Sequence, residues 1–445
     1  MVTYGGDEVS ALVLDIGSST VRAGYAGDDS PKAIIPTDYG YIPTQSDGDI
    51  TMNESGEGSE NTNTQKGAKS FVGEAGPSLW RAGMHVGNPM NDGLIQDFGP
   101  IPALIRHALE DSMHVNPKEH PILVTEPAWN TPENRERMAE IMFEEFQVPA
   151  FYIANTGVLN SFAAGKGSAL VIDIGQSVSS VIPVVDGFVL RKGVAYSPLP
   201  KLVQANARHI LTNPNPARPS GIELYPHQLI ATKIPVEPNA PPQFTLREDR
   251  VAGVTDSWRR WYEDREIDEW MQTVCGVLEQ GWNDQIAHSR PAKQYEFPTG
   301  YNTYFSGHDR HSVGEQFFFH SPALMASNAN LPRHIPALIS DSIRACDPEL
   351  RQVLMGNVVL TGGGSLFTGF ADRLNNELSK YTHLETRPNV DLVGGWVAVF
   401  SQAWARSISY GSVAKNGRLA SSFILMNAPL TFAAGARQKY RAPEM

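Results

Sequence analysis

Two stretches of this chain repeat one pattern, and the repeat limits the possible folds more than any other feature. The first, residues 11–26, reads ALVLDIGSSTVRAGYA, and the second, residues 168–187, reads SALVIDIGQSVSSVIPVVDG. Each contains an apolar strand, an Asp-Ile-Gly turn and a second strand, which is typical of a β-hairpin. The shared string LV-x-D-I-G predicts a duplicated α/β unit, with one copy in each of two lobes.

The residues around the hairpins favour an α/β class. Residues 132–146 (PENRERMAEIMFEEF) begin with Pro and carry apolar residues at helical spacing. Strands that alternate with helices are typical of α/β proteins, and 445 residues exceed one core of ordinary size. We therefore predict a first lobe over residues 1–165 and a second over residues 166–381.

Composition excludes several functional classes. The net charge of −12 argues against a surface that binds nucleic acid along the whole chain. Cys275 and Cys346 lack metal-ligand spacing, so we interpret both as buried apolar residues in a reducing compartment. Without a leader pattern or an apolar run of about 20 residues, the sequence indicates a soluble intracellular protein that contacts no membrane.

Both hairpin turns contain residue types that hold phosphate and a divalent cation. An Asp at a strand end can hold a hydrated cation, while Gly and Ser present backbone N–H groups to phosphate. The first hairpin supplies Asp15, Gly17, Ser18, Ser19, Thr20 and Arg22, the last as a charge-assisted donor. The second supplies Asp173, Gly175, Gln176 and Ser177. One such turn is more often an ordinary hairpin, but the pair predicts a phosphate site between the lobes.

A third turn is rich in glycine and precedes a predicted helix. Residues 357–369 read NVVLTGGGSLFTG and lead into FADRLNNELSKY. Glycines let a flat ligand lie against the backbone, and a helix N-terminus favours anions. The turn contains Gly362, Gly363, Gly364 and Ser365. Such turns are also common structural elements, but three turns in this order predict a nucleotide cleft, with the third next to the adenosine.

Long stretches of the chain resemble actin. They are ALVLDIGSSTVRAGYAGDDSPKAIIPTDYG, HPILVTEPAWNTPENRERMAEIMFEEFQVPAFYIANTGVL and TGGGSLFTGFADRLNNEL, and the similarity extends with insertions from about residue 8 to about residue 381. YGGDEVSALVLDIGSSTVRAGYAGDD and YEFPTGYN resemble the nuclear actin-related protein 4 class. The resemblance implies an actin-like ATPase fold with two lobes around a nucleotide cleft. It also implies ATP with Mg²⁺ or Ca²⁺, the cation being held through water by Asp15 and Asp173.

The same resemblance implies a role in the nucleus. Members of that class are non-catalytic subunits of chromatin-remodelling and histone-acetyltransferase complexes, where they pair with actin on a helical scaffold segment. The implied functions are transcription regulation and DNA repair, with contact to histones or the nucleosome. The alternative is a cytoplasmic actin-related protein or an ATP-hydrolysing, filament-forming actin.

The residues that would contact the adenine base match actin less well than the residues of the phosphate turns do. Phe367 stands where the family has an aromatic residue near the adenine, and Lys233 stands for a base-contacting Lys. Ile234 replaces the Glu that normally follows that Lys. An equal alternative for Phe367 is a core aromatic residue.

The residues that prepare water for attack in actin differ in this chain. The aligned positions hold Thr156, Gln176 and Ser180. Attack on a γ-phosphate requires a well-placed acceptor and a route for the proton. We therefore expect ATP to bridge the lobes with little or no hydrolysis, so that the protein is not an enzyme.

Two segments depart from the actin pattern. Residues 41–69 form a polar insertion where actin has a loop that enters the next filament subunit, and the lost apolar burial predicts no homo-filament. Residues 385–445 replace the segment that closes the first lobe. Residues 397–409 can be written as degenerate codons. When these codons are read from one nucleotide earlier, they permit the family's C-terminal helix sequence. We interpret this tail as the product of a shifted reading frame, the alternative being a divergent tail.

Overall fold

The computed structural model describes residues 11–43, 69–214, 218–320, 325, 330–380, 390–393 and 425–426. Most of the polar insertion predicted at 41–69 lies outside these residues. The tail predicted at 385–445 also lies outside them, apart from two short strands. Both interpretations therefore stay predictions, as does the boundary between residues 165 and 166.

The first repeated pattern forms the predicted hairpin at the centre of a six-stranded sheet. Strand Leu12–Ile16 pairs antiparallel with Thr20–Tyr25 and parallel with Ile122–Glu126. The sheet order is Leu425–Met426, Ala150–Asn155, Ile122–Glu126, Leu12–Ile16, Thr20–Tyr25 and Ala33–Pro36. Leu12 and Leu14 face one apolar cluster and Val13 another. Burial on both faces explains why this strand is apolar at successive positions.

The second repeated pattern forms an equivalent hairpin in a second six-stranded sheet. Strand Ala169–Ile174 pairs antiparallel with Ser179–Val185 and parallel with Val358–Thr361. The remaining strands of this sheet are Phe188–Val189, Ala195–Ser197 and Val390–Leu392. Each hairpin thus lies beside a parallel strand, and the prediction of a duplicated α/β unit is confirmed.

Helices cover the sheets and connect their strands. The α-helices are Ile101–Arg106, Pro132–Glu140, Thr156–Ala163, Leu199–Thr212, Glu248–Val251, Asp256–Val274, Asp284–Ser289, Gly307–Glu315, Ile335–Ala345, Pro348–Gly356 and Phe370–Ser379. The helix predicted over 132–146 begins at Pro132, where the Thr131 hydroxyl accepts a hydrogen bond from the Asn134 N–H. It continues through a π-helical turn, Ile141–Glu145. In the described part of the chain, no helix is both long and apolar enough to cross a membrane.

Smaller strand pairs lie outside the two large sheets. One three-stranded sheet contains Tyr39–Ile42, Lys69–Phe71 and His85–Gly87. The two-stranded pairs are Met90–Asn91 with Leu94–Ile95, Ile230–Ile234 with Gln243–Leu246, and Lys293–Glu296 with Asn302–Phe305.

Each large sheet has its own hydrophobic core. The core beside the first sheet includes Leu14, Ile105 and Phe146. The larger core beside the second sheet includes Leu170, Trp270 and Phe370. Both cysteines are buried and unbridged, as interpreted from the sequence.

Candidate functional site

The turns of the two hairpins have the same internal geometry and meet at their tips. The Gly17 N–H donates to the Thr20 carbonyl at 3.0 Å, and the Gly175 N–H donates to the Val178 carbonyl at 3.0 Å. The hydroxyl oxygens of Ser18 and Ser177 are 2.7 Å apart and share a hydrogen bond. The structure therefore brings together the two turns that the sequence predicts as phosphate loops.

Residues from other segments hold the first turn in place. The Thr37 hydroxyl donates to the Gly17 carbonyl at 2.6 Å, and the Asn88 amide donates to the Ser18 carbonyl at 2.8 Å. The Thr37 N–H donates to the Ser19 carbonyl at 3.0 Å. Because protein groups satisfy these carbonyls, the shape of the turn does not depend on a ligand.

Two carboxylates face each other behind the turns. Asp15 accepts a hydrogen bond from the Thr125 hydroxyl at 2.6 Å and lies 3.5 Å from Arg22 Nη1. Burial, and then the neighbouring Asp15 carboxylate, raise the pKa of Asp173 from 3.8 to about 6. A cation placed between these carboxylates would favour the ionised form of Asp173.

The donor set fits a hydrated divalent cation better than one bound by protein ligands alone. Within the described ranges, no group of three or more His, Cys, Asp and Glu side chains could hold a metal ion. Mg²⁺ commonly takes one or two carboxylates and completes its shell with water and phosphate oxygens. Asp15 and Asp173 match that pattern.

The glycine-rich third turn packs directly on the second hairpin. Its strand places Thr361 beside Asp173 in parallel register. Gly362 has a φ of 90°, and a Cβ atom there would overlap Asp173 Oδ1 and the Ile174 carbonyl. Only glycine combines this backbone conformation with so close an approach. The Ser365 hydroxyl closes the turn by donating to the Gly362 carbonyl at 2.7 Å.

The two residues after Ser365 differ in their surroundings. Phe367 packs against the core of the second lobe, with its ring edge-on to Phe317 at 5.7 Å. This supports the alternative left open for Phe367, that of a core aromatic residue. Leu366 is 80% exposed, and the space around Gly363 is open.

Lys233 lies on a different element from the glycine-rich turn. It belongs to the strand Ile230–Ile234, where its ammonium group lies 2.7 Å from Glu296 Oε1. Ile234, the neighbouring departure from the actin pattern, is 57% exposed. The contact of Lys233 with a base stays a prediction.

The three positions that differ from actin have structural roles here. Thr156 begins the helix Thr156–Ala163 after the capping residue Asn155. Ser180 is 3% exposed and lies opposite Asp173 in the hairpin register. The Gln176 amide donates to Asp268 Oδ2 at 2.8 Å.

Asp268 connects the second turn to the helices of its lobe, although no sequence motif indicates this role. It accepts from Gln176 and, at 2.8 Å, from the Gln204 amide. Burial raises its pKa from 3.8 to about 6. Because its two donors are side-chain amides and no ion pair to it occurs among the described residues, this carboxylate acts as a positioning group for Gln176.

Comparison with known proteins identifies the family of this chain. The family model described as Actin matches residues 6–405. The chain is 36% identical over 380 residues to Actin-related protein 4 of Yarrowia lipolytica, covering 85% of this chain and 84% of that protein. It is 36% identical over 428 residues to Actin-related protein 4 of Emericella nidulans, covering 84% and 85%. For Actin-related protein 4 of Oryza sativa subsp. japonica the identity is 31% over 424 residues, covering 90% and 92%. The chain therefore belongs to the actin family.

Proposed function

We propose that this protein binds ATP with Mg²⁺ or Ca²⁺ between its two lobes and acts as a non-catalytic actin-related subunit in the nucleus. The observation that carries the nucleotide part is the meeting of Ser18 and Ser177, 2.7 Å apart, in front of Asp15 and Asp173. Two turns from separate sheets then offer donors to the same phosphates. The cation, when bound, offsets phosphate charge, while Arg22 supplies a fixed positive charge beside Asp15.

The residues at the water-activating positions support binding without turnover. Gln176 is engaged by Asp268, and the Ser180 hydroxyl is buried and is not basic enough to accept a proton from water at neutral pH. Thr156 likewise offers a hydroxyl where actin has an amide. ATP in this cleft would therefore stabilise the closed pair of lobes, since a ligand that binds only the folded state adds to its stability.

The similarity to proteins named Actin-related protein 4 supports the assignment of partners. On that basis the chain would pair with actin on a helical scaffold segment of a remodelling or acetyltransferase complex and contribute to histone or nucleosome binding. The net charge of −12 suits protein partners and basic histone surfaces better than direct contact with DNA.

Nucleotide content tests the first part of the proposal. Acid extraction of the purified full chain, followed by ion-exchange chromatography, should release one ATP per chain. The Asp15→Asn/Asp173→Asn double variant, with folding checked by circular dichroism, should release far less. A wild-type chain that carries no nucleotide and does not bind added Mg-ATP would refute the proposal.

The proteins that are recovered together with the tagged chain test the proposed nuclear partners. The tagged full chain, recovered from nuclear extract, should bring actin and remodelling or acetyltransferase subunits with it, whereas the tag alone should not. Under polymerising salt the purified chain should stay in the supernatant after centrifugation. Robust pelleting, or recovery of cytoplasmic partners alone, would favour the alternative of a filament-forming or cytoplasmic relative.

A further inference from the structure

A second contact joins the two halves of the chain away from the phosphate loops. Met84 and Trp80 precede the strand His85–Gly87, and they pack with Leu229, Trp258, Trp261 and Tyr262 of the second half. We call these six residues the aromatic latch. Trp258 and Met84 are each 1% exposed. Burial this complete shows that the contact excludes water, as a hydrophobic core does.

Hydrogen bonds at the edge of the aromatic latch connect the same two segments. Trp258 Nε1 donates to the Pro77 carbonyl at 3.0 Å, and the Tyr262 hydroxyl donates to the Ser78 carbonyl at 2.9 Å. The Gly83 N–H donates to the Gly253 carbonyl at 2.8 Å. These polar atoms next to the apolar contact are therefore paired, whereas the buried Trp80 Nε1 has no hydrogen-bond partner among the described residues.

A chain of hydrogen bonds runs from the aromatic latch to the first phosphate loop. Trp261 Nε1 donates to Asp38 Oδ2 at 2.8 Å. The Asn88 amide donates to Asp38 Oδ1 at 2.8 Å and also to the Ser18 carbonyl at 2.8 Å. A movement of Trp261 away from the first lobe would break this chain and release one support of the first turn.

The same helix also reaches the second phosphate loop. Helix Asp256–Val274 carries Trp258, Trp261 and Tyr262 in its first half, and Asp268, which holds Gln176, in its second half. Opening the aromatic latch would therefore displace one element that holds the second turn directly, through Asp268, and the first turn through Asp38 and Asn88.

We propose that the aromatic latch holds the two lobes closed even without nucleotide, and that nucleotide leaves the cleft only when the latch opens. The second half of this statement rests on the proposed nucleotide binding. The first half does not, because it concerns a contact between protein segments alone.

A disulfide across the latch tests the closed state directly. A Cβ atom on Gly253 would lie 2.9 Å from the Ala82 Cβ, and disulfides need about 3.5–4.5 Å, so a small shift suffices. The Ala82→Cys/Gly253→Cys variant of the full chain, stripped of nucleotide with EDTA, should form this bond rapidly under mild oxidation. The native Cys275 and Cys346 are buried and do not compete. Failure of the folded variant to cross-link would overturn the closed state.

The release rate of a fluorescent nucleotide tests the gate, by which we mean that nucleotide leaves only when the aromatic latch opens. Etheno-ATP bound to the oxidised variant should dissociate at least tenfold more slowly than from the same protein after reduction. Met84→Ala, which truncates the most deeply buried first-lobe side chain of the aromatic latch, should speed release about tenfold, equivalent to about 1.4 kcal/mol. Met138→Ala is the matched control, because Met138 is also buried in the first lobe but belongs to its core.

The outcomes separate the two proposals. Equal release rates in oxidised and reduced protein, or equal acceleration by Met84→Ala and Met138→Ala, would overturn the gate while leaving nucleotide binding intact. Absence of etheno-ATP and ATP binding in every form would overturn the proposed function and the gate with it. The cross-linking yield would still decide whether the latch closes the lobes.

Discussion

The two hairpins share a motif and a register but differ in the residue opposite the aspartate. Asp15 pairs with Arg22 across the first hairpin, and Asp173 pairs with Ser180 across the second. Asp15 also accepts a hydrogen bond from Thr125, whereas Asp173 lies against Gly362. One copy of the motif thus has a cationic residue beside its carboxylate, and the other has a small hydroxyl.

This difference assigns different tasks to the two copies. The first copy places Arg22 3.5 Å from its own carboxylate, and the Thr125 hydroxyl also holds that carboxylate. In the second copy burial, and then the Asp15 carboxylate, raise the pKa of Asp173, and the charge of Arg22 offsets this only in part. We propose that a bound cation would compensate the charge of the second carboxylate more than that of the first, so that the site is asymmetric although its scaffold is duplicated.

The largest expected effect comes from adding a side chain at Gly362, where the third turn packs against the second hairpin. Gly362→Ala should abolish ATP binding and destabilise the protein by about 2 kcal/mol or more, because its Cβ would overlap Asp173 and its backbone has a positive φ. Gly363→Ala is the control for stability, since its Cβ meets no protein atom within 4 Å. Chemical denaturation and calorimetric titration with Mg-ATP measure both effects. Equal behaviour of the two variants would contradict the described packing.

The next effect tests the residue that distinguishes the two hairpins. Arg22→Ala should weaken Mg-ATP binding by ten- to a hundredfold, since charge-assisted hydrogen bonds contribute about 1.5–3 kcal/mol. Ser180→Ala, at the equivalent register position, should change affinity by less than about threefold because no phosphate contact is assigned to it. Titration calorimetry at constant salt compares them. A larger loss in Ser180→Ala would reverse the asymmetry.

The third prediction concerns pH and the cation. The folded-state pKa of Asp173, about 6, lies above its ordinary value of 3.8. The ionised carboxylate therefore destabilises the cation-free fold above pH 6, and a bound cation relieves this. Below pH 6 a proton competes with Mg²⁺, so apparent Mg²⁺ affinity should fall by up to about tenfold per pH unit. Asp173→Asn should show weak binding without this dependence, and a steep dependence in that variant would assign the titration elsewhere.

The smallest effect concerns the support of the first aspartate. Thr125→Val removes the hydroxyl that donates to Asp15 at 2.6 Å and should weaken Mg-ATP binding by about fivefold, equivalent to about 1 kcal/mol. Thr125→Ser keeps a hydroxyl and should bind nearly as the wild type does. If both variants lose the same affinity, packing rather than the hydrogen bond holds Asp15.

Features contained in short stretches of sequence were predictable. The hairpins, the α/β class and the meeting of the first two turns follow from the LV-x-D-I-G repeat, because a duplicated unit places equivalent turns at equivalent edges. The close packing of Gly362 on the second hairpin follows less directly, from three glycines after a strand. Residues adjacent in sequence form each hairpin and each turn, so the local sequence pattern was sufficient to predict them.

Features that depend on distant segments were not predictable in this way. Asp268 reaches Gln176 from 92 positions away, and Trp261 reaches Asp38 from 223 positions away. No periodicity links such residues, since tertiary packing alone brings them together. Phe367 illustrates a related difficulty, because an aromatic residue after a turn has the same sequence signature whether it faces a ligand or the core.

The most direct test of the account is the fate of bound ATP. Purified protein loaded with γ-labelled ATP and Mg²⁺, freed of excess nucleotide and incubated for hours, should return its label as intact ATP after denaturation. Actin measured in parallel under polymerising salt provides the positive control for phosphate release. Retention of ATP would support a structural nucleotide held between the two hairpin turns, with its cation at Asp15 and Asp173. Release of phosphate at the rate of actin would contradict the central claim that this cleft binds ATP without turning it over.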